Sequence, residues 1–377
     1  MRPGEQIVNF FQEFWTGSSH GQGILRSLYS LLLTPLAWMY GAAQSLRRIL
    51  YGAGMIPSRH LSRKVLSIGG LRVGGTGKTP FTIWLAGRLQ DRGCRVVILT
   101  RGYGRKRVTG TQIVRNEEID RWNPLDCGDE PYLIARSLPG MAVVVDADRY
   151  RGGRLAEKKL PVDVFVLDDG FQHLRLARDC DIVLLTGEGK TGKVYCLPRG
   201  PFREPASALR DAQILVRLEE ADSAGEGRPW SPDQRLCTDV PCFRASLQPA
   251  GFFCLKDRSR VDSSLLEGAD VAAFCGIARP DSFWRTLEQA GLKLVARKSF
   301  PDHHRYTQQD SEDLERALSA AQWAVTTEKD ASKIARFPWT EGRVLFLRVQ
   351  LVLEDEERFW ACLERICALP ANRGQPG

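Results

Sequence analysis

Residues 65–80 read VLSIGGLRVGGTGKTP, and this stretch decides the fold. Its first four residues are mostly aliphatic or β-branched and predict a short strand, while residues 81–89 predict a helix. Between them, Gly74, Gly75 and Gly77 let successive backbone N–H groups face an anion, because no Cβ stands in the way. A strand, a glycine-rich turn, a Lys-Thr pair and a helix, in this order, are typical of a P-loop that grips a polyphosphate.

Each part of this loop has a chemical role. We expect Lys78 to reach the β- and γ-phosphates of a nucleotide and Thr79 to hold magnesium, while the helix N-terminus adds partial positive charge. Arg72 stands where a strict GxxxxGK[ST] pattern has glycine, so an incidental glycine-rich turn is the alternative. The residues assigned to nucleotide binding are Gly74, Gly75, Thr76, Gly77, Lys78, Thr79 and Pro80.

Length and composition indicate a globular chain with two cores. The chain has 377 residues, of which 43% are hydrophobic and 26% charged. The net charge is +8, and residues 1–64 carry seven Lys or Arg residues against two glutamates. Such a basic head favours an anionic surface as partner. Stacking aromatic residues are not interleaved with the charges, so nothing favours nucleic acid. The ten cysteines form no CxxC pair, which indicates free thiols in a reducing compartment.

The N-terminal segment, residues 1–57, is predicted to associate with a membrane. Residues 7–15 form a short amphipathic stretch, and residues 27–46 contain no charge, which is close to the roughly 20 residues that cross a bilayer. Trp38 suits an interface, and the basic residues that follow place the C-terminal side in the cytoplasm. The segment either spans the bilayer or lies in its interface, and a buried helix of a soluble domain is the alternative.

From residue 58 onward, short apolar runs alternate with helical segments. This alternation predicts an α/β fold with a mainly parallel sheet, helices on both faces and ligands at the carboxyl ends of the strands. A turn at Gln248–Ala250, flanked by two strand-like runs, predicts a hairpin. The predicted segments are a P-loop core (58–235), a linker hairpin (236–258), a smaller C-terminal α/β lobe (259–369) and a loose tail (370–377).

Two pairs of acidic residues lie in the predicted core. Asp168 and Asp169 end an apolar run, where adjacent carboxylates are costly unless a cation such as Mg²⁺ offsets them. A solvated turn is the alternative. Asp129 and Glu130 begin a predicted helix, so Asp129 is either an N-cap or a catalytic carboxylate.

Two histidines and two basic loops complete the candidates. His303 and His304 are adjacent and point in different directions, so a zinc site made by both is excluded. We expect one of them to orient a carboxylate, with a polar loop as the alternative. The basic residues within 101–107 and 199–205 each follow a strand, and each loop is a candidate for binding a phosphorylated group.

Several motifs taken together are similar to those of a known family. They are GGLRVGGTGKTP, RGYGRK, GDEP, VDVFVLDDGFQHLRLARDCDIVLL, LPRGPFREP, FCGIARPDSF, FPDHHRYT and TTEKDASKI, in this order. The combination resembles tetraacyldisaccharide 4′-kinase, the lipid A 4′-kinase of Gram-negative bacteria, and the likeness runs from Ser58 to Leu351.

The resemblance implies a P-loop NTPase-like enzyme that phosphorylates the 4′-hydroxyl of tetraacyldisaccharide 1-phosphate, forming lipid IVA. It implies ATP and Mg²⁺ as cofactors, the lipid substrate and the inner membrane surface as partners, a cytoplasmic-face location and a monomer. The implied catalytic residues are Asp129, His303 (with His304 as the alternative) and Lys78, and the implied magnesium ligands are Thr79, Glu130, Asp168 and Asp169.

A second class of function shares the P-loop. A membrane-associated switch or partitioning ATPase also carries a GGxGKT loop and would hydrolyse ATP without a small-molecule acceptor. A guanine-specific GTPase is weaker, because residues 326–330 (TTEKD) have the wrong order for a base-specifying NKxD. A non-catalytic membrane adaptor leaves the P-loop and the paired acids unexplained.

Overall fold

The computed structural model describes residues 23–103, 105, 110–186, 195–219, 239–318, 321–335, 337, 339 and 343–368. The strands of this part of the chain are β1 (Lys64–Gly70), β2 (Val96–Thr100), β3 (Gln112–Arg115), β4 (Ala142–Val145), β5 (Val164–Leu167), β6 (Cys180–Thr186), β7 (Ile214–Glu219), β8 (Cys242–Cys254), β9 (Arg260–Val261), β10 (Asp270–Cys275), β11 (Lys293–Ser299), β12 (Trp323–Thr327) and β13 (Val344–Leu353). The helices of seven or more residues are α1 (Gly23–Gly52), α2 (Lys78–Asp91), α3 (Asp129–Ser137), α4 (Arg149–Lys159), α5 (Pro280–Gln289), α6 (Gln308–Leu318), α7 (Glu328–Ile334) and α8 (Glu356–Cys367).

The chain forms two compact units, each built from separate segments. Unit 1 comprises residues 1–78, 169–244 and 354–369. Within it, β6 pairs in parallel with both β1 and β7. All residues of β1 after Lys64 are buried, as expected for a parallel strand covered on both faces. A cluster around Phe171, Leu185 and Leu209 forms its apolar core.

Unit 2 comprises residues 79–168 and 245–353. In its first segment, β2 pairs in parallel with β4 and β5, and β3 adds an antiparallel edge to β4. In its second segment, β11, β10, β12 and β13 are parallel neighbours, and β8 runs antiparallel to β13. Helices α3 and α7 pack against each other.

The mainly parallel α/β class expected from the sequence is confirmed, and the strand predicted at residues 65–68 and the helix predicted at residues 81–89 lie within β1 and α2. Edge strand β3 was not predicted, because its four residues carry little apolar periodicity. The predicted segment boundaries stay a prediction, as does the loose tail, which lies outside the described residues after 368.

The predicted hairpin around Gln248–Ala250 is wrong. Residues 242–254 form one continuous strand, β8, along β13. Pro249 lies opposite Val349, where the register shifts by one residue. Because proline has no N–H to donate, a bulge tolerates it within a strand, and the long partner strand outweighs the local turn signal.

Helix α1 contains the uncharged stretch of the N-terminal segment. Several of its large apolar side chains are exposed, including Leu31, Trp38 and Met39, whereas Ala37 is buried. In the described residues, no helix has both the length and the apolarity that a bilayer span requires. The amphipathic stretch predicted at residues 7–15 lies outside the described residues.

Two arginines expected to face lipid headgroups instead turn into unit 1. Arg47 donates to the carbonyl of Gln172 at 3.0 Å. Arg48 forms a buried ion pair with Glu204 at 2.7 Å and also reaches Asp211 at 2.8 Å. Burial of the Glu204 carboxylate requires a cation, so the basic end of α1 is partly used to attach the helix.

The nine described cysteines are free thiols, as the absence of CxxC spacing predicted. Cys180 and Cys367 are both buried in unit 1, where the hydrogen bond between the two thiols, and after it burial, raise the pKa of Cys180. Cys237 lies outside the described residues.

Candidate active site

The P-loop follows β1 in unit 1, and α2 begins at Lys78. Gly77 has a φ of +70°, and a Cβ at this position would lie 2.4 Å from Cδ2 of Leu218. Gly74 also has a positive φ, of +102°, but among the described residues other than its chain neighbours, no heavy atom lies within 4 Å of its Cβ position. The loop therefore needs glycine at Gly77 for both space and backbone conformation, and at Gly74 for conformation alone.

Lys78 lies close to the second acid of the DD pair. Its Nζ donates to Oγ1 of Thr76 at 2.8 Å and lies 3.6 Å from the Asp169 carboxylate. Arg203 donates to both oxygens of Asp169, at 2.9 and 2.7 Å. Two cations thus flank Asp169, and Arg203 is the residue of the second basic loop that reaches this acid.

Asp168, the first acid of the DD pair, is buried in unit 2. Its Oδ1 accepts a hydrogen bond from Oγ1 of Thr82 at 2.9 Å, and its Oδ2 accepts one from Oγ1 of Thr100 at 3.3 Å. Two neutral hydroxyls therefore orient a carboxylate that is only 2% exposed. The oriented carboxylate presents hard oxygen atoms of the kind that Mg²⁺ prefers.

Asp129 is the first residue of α3 and is not its N-cap. Gly128 occupies the cap position, with a φ of 104°, and makes no side-chain cap. The N-cap alternative for Asp129 is therefore wrong. Glycine is required at position 128 because a Cβ there would lie 3.0 Å from the carbonyl oxygen of Tyr103. The carboxylate of Asp129 is thus left for other contacts.

These contacts come from the C-terminal segment of unit 2. The Oδ2 atom of Asp129 lies 3.5 Å from Nδ1 of His303 and 3.4 Å from Nζ of Lys333. Burial alone would raise the pKa of the Asp129 carboxyl, but these two partners outweigh it and the pKa is lowered. The carboxylate is therefore held ionised, in the form that can accept a proton.

The two adjacent histidines have different surroundings. His303 has a φ of +60°, in the left-handed region, and its ring meets the ring of Tyr103 edge-on at 5.5 Å. His304 instead lies 3.1 Å from Asp310 through Nε2 and stacks on Phe300 at 4.6 Å. Of the pair, His303 is thus the one beside Asp129.

Two lysines of α7 also belong to this cluster, and sequence reasoning missed both. Lys329 lies 2.9 Å from Asp302 and 3.4 Å from Nε2 of His303. Lys333 contacts two acids: its Nζ lies close to Asp129 and 3.2 Å from Oδ1 of the fully buried Asp330. The sequence held two signals: both lysines lie in the TTEKDASKI motif, and their spacing of four residues places them on one helix face after a Thr327 cap.

The four residues predicted to hold magnesium offer the hard oxygen donors that this ion prefers. The Thr79 hydroxyl and the carboxylates of Asp168 and Asp169 fit that chemistry, and Glu130 contributes to raising the pKa of Lys329. Within the described ranges, however, no three or more His, Cys, Asp or Glu side chains gather into a metal-binding group. The four residues therefore fit Mg²⁺ by the chemistry of their oxygen atoms, and the carboxylate of Asp168 is oriented by two hydroxyls.

Comparison with known proteins places these residues in a wider context. The family model described as tetraacyldisaccharide-1-P 4′-kinase, LpxK, matches residues 29–368. A tetraacyldisaccharide 4′-kinase of Syntrophus aciditrophicus (strain SB) is 38% identical over 344 residues, covering 89% of this chain and 92% of the relative. One of Anaeromyxobacter sp. (strain K) is 44% identical over 302 residues, covering 78% of this chain and 79% of the relative.

A solved structure shows the same similarity. It is described as the "apo" form of LpxK from Aquifex aeolicus in complex with ATP. The sequences are 34% identical, and the TM-score is 0.74 over 90% of this chain and 99% of the other. The similarity therefore extends over nearly the whole of that chain.

Proposed function

The chain belongs to the tetraacyldisaccharide-1-P 4′-kinase family, and from this membership we propose that it transfers the γ-phosphate of ATP to the 4′-hydroxyl of tetraacyldisaccharide 1-phosphate, forming lipid IVA in lipid A biosynthesis. The observation that carries the proposal is the position of the Asp129 carboxylate, whose Oδ2 lies 3.5 Å from Nδ1 of His303 and 3.4 Å from Nζ of Lys333. A sugar hydroxyl is a weak nucleophile, so phosphoryl transfer to it is faster when a positioned base accepts the hydroxyl proton.

ATP binding is assigned to the P-loop. Backbone N–H groups from Gly74 to Lys78 would face the phosphates, and the Lys78 ammonium would neutralise charge that spreads over the transferred group. The positive φ of Gly77 and the filled space beside it support a loop shaped for close backbone approach. Phosphoryl transfer depends mainly on such positioning and charge neutralisation.

Proton acceptance is assigned to Asp129, with His303 as its partner. The carboxylate would take the proton of the 4′-hydroxyl as the oxygen attacks the γ-phosphorus. Mg²⁺ would be held by Thr79, Glu130, Asp168 and Asp169 and, when bound, would neutralise phosphate charge. Asp168 would keep its orientation through the hydroxyls of Thr82 and Thr100.

Membrane association is assigned to α1. Its side chains Leu31, Leu32, Trp38 and Met39 are each more than two-thirds exposed. An exposed apolar patch of this kind would enter the interface of the inner membrane from the cytoplasmic side, where ATP is present. A substrate with four acyl chains stays in the bilayer, so the enzyme, as a monomer, would meet it in the plane of the membrane.

The test of this function is whether ATP turnover depends on the lipid acceptor. ADP release by the purified protein would be measured in detergent, with and without tetraacyldisaccharide 1-phosphate. A kinase releases ADP only when the acceptor is present, whereas a switch ATPase releases it equally in both conditions. Equal turnover without the lipid would overturn the proposed function.

The assignment of Asp129 has its own test. Asp129→Ala should lower kcat by about 10²- to 10⁴-fold, the usual contribution of a general base, because no carboxylate remains to accept the proton of the acceptor hydroxyl. ATP binding, measured by calorimetry, should be retained. Near-normal turnover of this variant would refute the role of Asp129 as base and leave the kinase activity itself standing.

A further inference from the structure

His303 lies between an acid and a cation, and its two ring nitrogens face different partners. Nδ1 lies 3.5 Å from Oδ2 of Asp129, and Nε2 lies 3.4 Å from Nζ of Lys329. Nε2 also lies 3.8 Å from Oδ2 of Asp302, which is farther away than the lysine. A neutral imidazole carries its proton on one nitrogen only, so the proton has two alternative positions. The neighbours of the ring decide between them.

Lys329 can act on Nε2 in one way only. An ammonium group has three N–H donors and no acceptor, so it can only donate to an unprotonated ring nitrogen. Protonation at Nε2 would set an N–H against the ammonium and turn the bare Nδ1 lone pair toward the Asp129 carboxylate. These two contacts would be repulsive, whereas the Nδ1–H form makes both attractive. The Asp302 carboxylate lies farther from Nε2, at 3.8 Å, and is already paired with Lys329 at 2.9 Å.

Lys329 is held in place and held charged. It lies in the first turn of α7, and its Nζ donates to Oδ1 of Asp302 at 2.9 Å. The backbone N–H of His303 donates to the same oxygen at 3.0 Å. Burial alone would lower the pKa of Lys329, but the Asp302 and Glu130 carboxylates outweigh it, so the pKa is raised.

The backbone of His303 indicates that this arrangement is maintained at a cost. Its φ of +60° lies in the left-handed region, which is unfavourable for an L-residue other than glycine. Such conformations persist where the surroundings fix them, and they concentrate at functional sites. Asp302 supplies that fixing through its hydrogen bond to the His303 N–H and its ion pair with Lys329.

We propose that Lys329 is a positioning residue that fixes His303 in its Nδ1–H tautomer, so that the imidazole donates to Oδ2 of Asp129 and Oδ1 receives the proton of the acceptor hydroxyl. The closest approach of Lys333 to Asp129 also falls on Oδ2. Two donors on one oxygen orient the carboxylate and leave the other toward substrate. This assignment rests on the proposed function for the identity of the acceptor, but the tautomer itself does not.

The direct test reads the tautomer by ¹⁵N NMR at pH 8. The five histidines of the chain would be labelled with ¹⁵N in the ring, and His303 would be assigned by the signal lost in His303→Gln. We expect the wild-type signal pattern of Nδ1–H, a shift toward the Nε2–H form in Lys329→Met, and the wild-type pattern again in Lys329→Arg. An Nε2–H signal in the wild type, or an unchanged tautomer in Lys329→Met, would overturn the proposal.

Kinetics give a second readout. Lys329→Met should lower kcat on the order of tenfold to a hundredfold, a part of the general-base contribution, with the KM for ATP little changed and with partial recovery in Lys329→Arg. Lys293→Met is the matched control, because it removes a Lys–Asp pair of similar length, 2.8 Å, at a side chain that is 68% exposed. An equal loss of kcat in Lys293→Met would contradict the positioning role.

The two readouts separate this inference from the proposed function. A wild-type protein that transfers no phosphate to the lipid refutes the proposed function, whatever the tautomer. A protein that transfers phosphate normally but shows His303 in the Nε2–H form refutes the role of Lys329 and leaves the kinase assignment standing.

Discussion

The ion pair between Arg48 and Glu204 should contribute strongly to the stability of unit 1. Arg48 donates to both carboxylate oxygens, at 3.1 and 2.7 Å. Its side chain is 9% exposed, and that of Glu204 is 1% exposed. Gln172 donates to the same carboxylate at 3.2 Å. Truncation of Glu204 to alanine would therefore leave a buried guanidinium and a half-buried amide without their shared acceptor.

The size of the effect follows from what Arg48 retains. Removal of one partner of a buried pair costs about 3–5 kcal/mol. Arg48 would keep Asp211 at 2.8 Å and the carbonyl of Phe171 at 3.2 Å, so we expect Glu204→Ala to cost about 3 kcal/mol, the lower end of that range. At about 2–4 °C per kcal/mol, the Tm should fall by roughly 6–12 °C.

The assay is thermal unfolding followed by circular dichroism. Glu219→Ala is the matched control, because Glu219 pairs with Arg244 at 3.6 Å with partly exposed side chains, and such pairs contribute about 0–1 kcal/mol. The double variant Arg48→Met with Glu204→Leu should recover most of the stability, since two apolar groups leave no buried charge. A Tm for Glu204→Ala no lower than that of Glu219→Ala would refute the reasoning, as would a double variant as unstable as the single one.

Three further predictions concern the loop, the membrane and acid. Gly77→Ala places a methyl group 2.4 Å from a neighbouring side chain and should weaken ATP binding at least about tenfold, or 1.4 kcal/mol. The control is Gly54→Ala, because Gly54 also has a positive φ, of +71°, but lies in open space, so this variant should leave the ATP affinity measured by calorimetry unchanged. Equal effects of the two variants would contradict the steric argument. Trp38→Ser combined with Met39→Ser removes side chains that are 68% and 69% exposed and should reduce co-sedimentation with anionic vesicles without changing the Tm; unchanged sedimentation would place the membrane contact elsewhere. Burial alone would raise the pKa of Asp146, but hydrogen bonds from an arginine and a threonine side chain outweigh it and lower the pKa. The ionised carboxylate therefore stabilises the fold above the ordinary Asp pKa of about 4, and this contribution is lost as the pH falls. Between pH 5 and 3 the Tm of the wild type should fall more steeply than that of Asp146→Asn, and parallel curves would contradict this.

The features that sequence reasoning predicted well are local in the chain. The P-loop could be recognised because strand, glycines, Lys78 and helix follow one another directly, and the positive φ of Gly77 matches the reason for expecting glycine there. The apolar strand before Asp168 and Asp169 was predicted for the same reason and is observed as β5, which ends at Leu167, while the metal-binding role of the two acids stays a prediction. Such signals need no knowledge of distant residues.

The features that could not be predicted depend on distant contacts. Nothing near Asp129 in the sequence indicates that Lys333 lies 3.4 Å away, because α3 and α7 are brought together only by packing. Arg48 was expected at a lipid surface, since a buried Glu204 cannot be read from the chain. At Pro249, the turn signal was real but the pairing of β8 with β13 outweighed it.

The most direct test of the central claim is transfer of labelled phosphate. Mg-[γ-³²P]ATP would be incubated with tetraacyldisaccharide 1-phosphate in detergent, using the wild type and Lys78→Ala, and the position of the new phosphate would be determined by ³¹P NMR. The structure and the family predict labelled lipid carrying a 4′-phosphate in the wild type and almost none in Lys78→Ala. ATP hydrolysis that requires Lys78 but labels no lipid would contradict the kinase assignment and favour a switch ATPase.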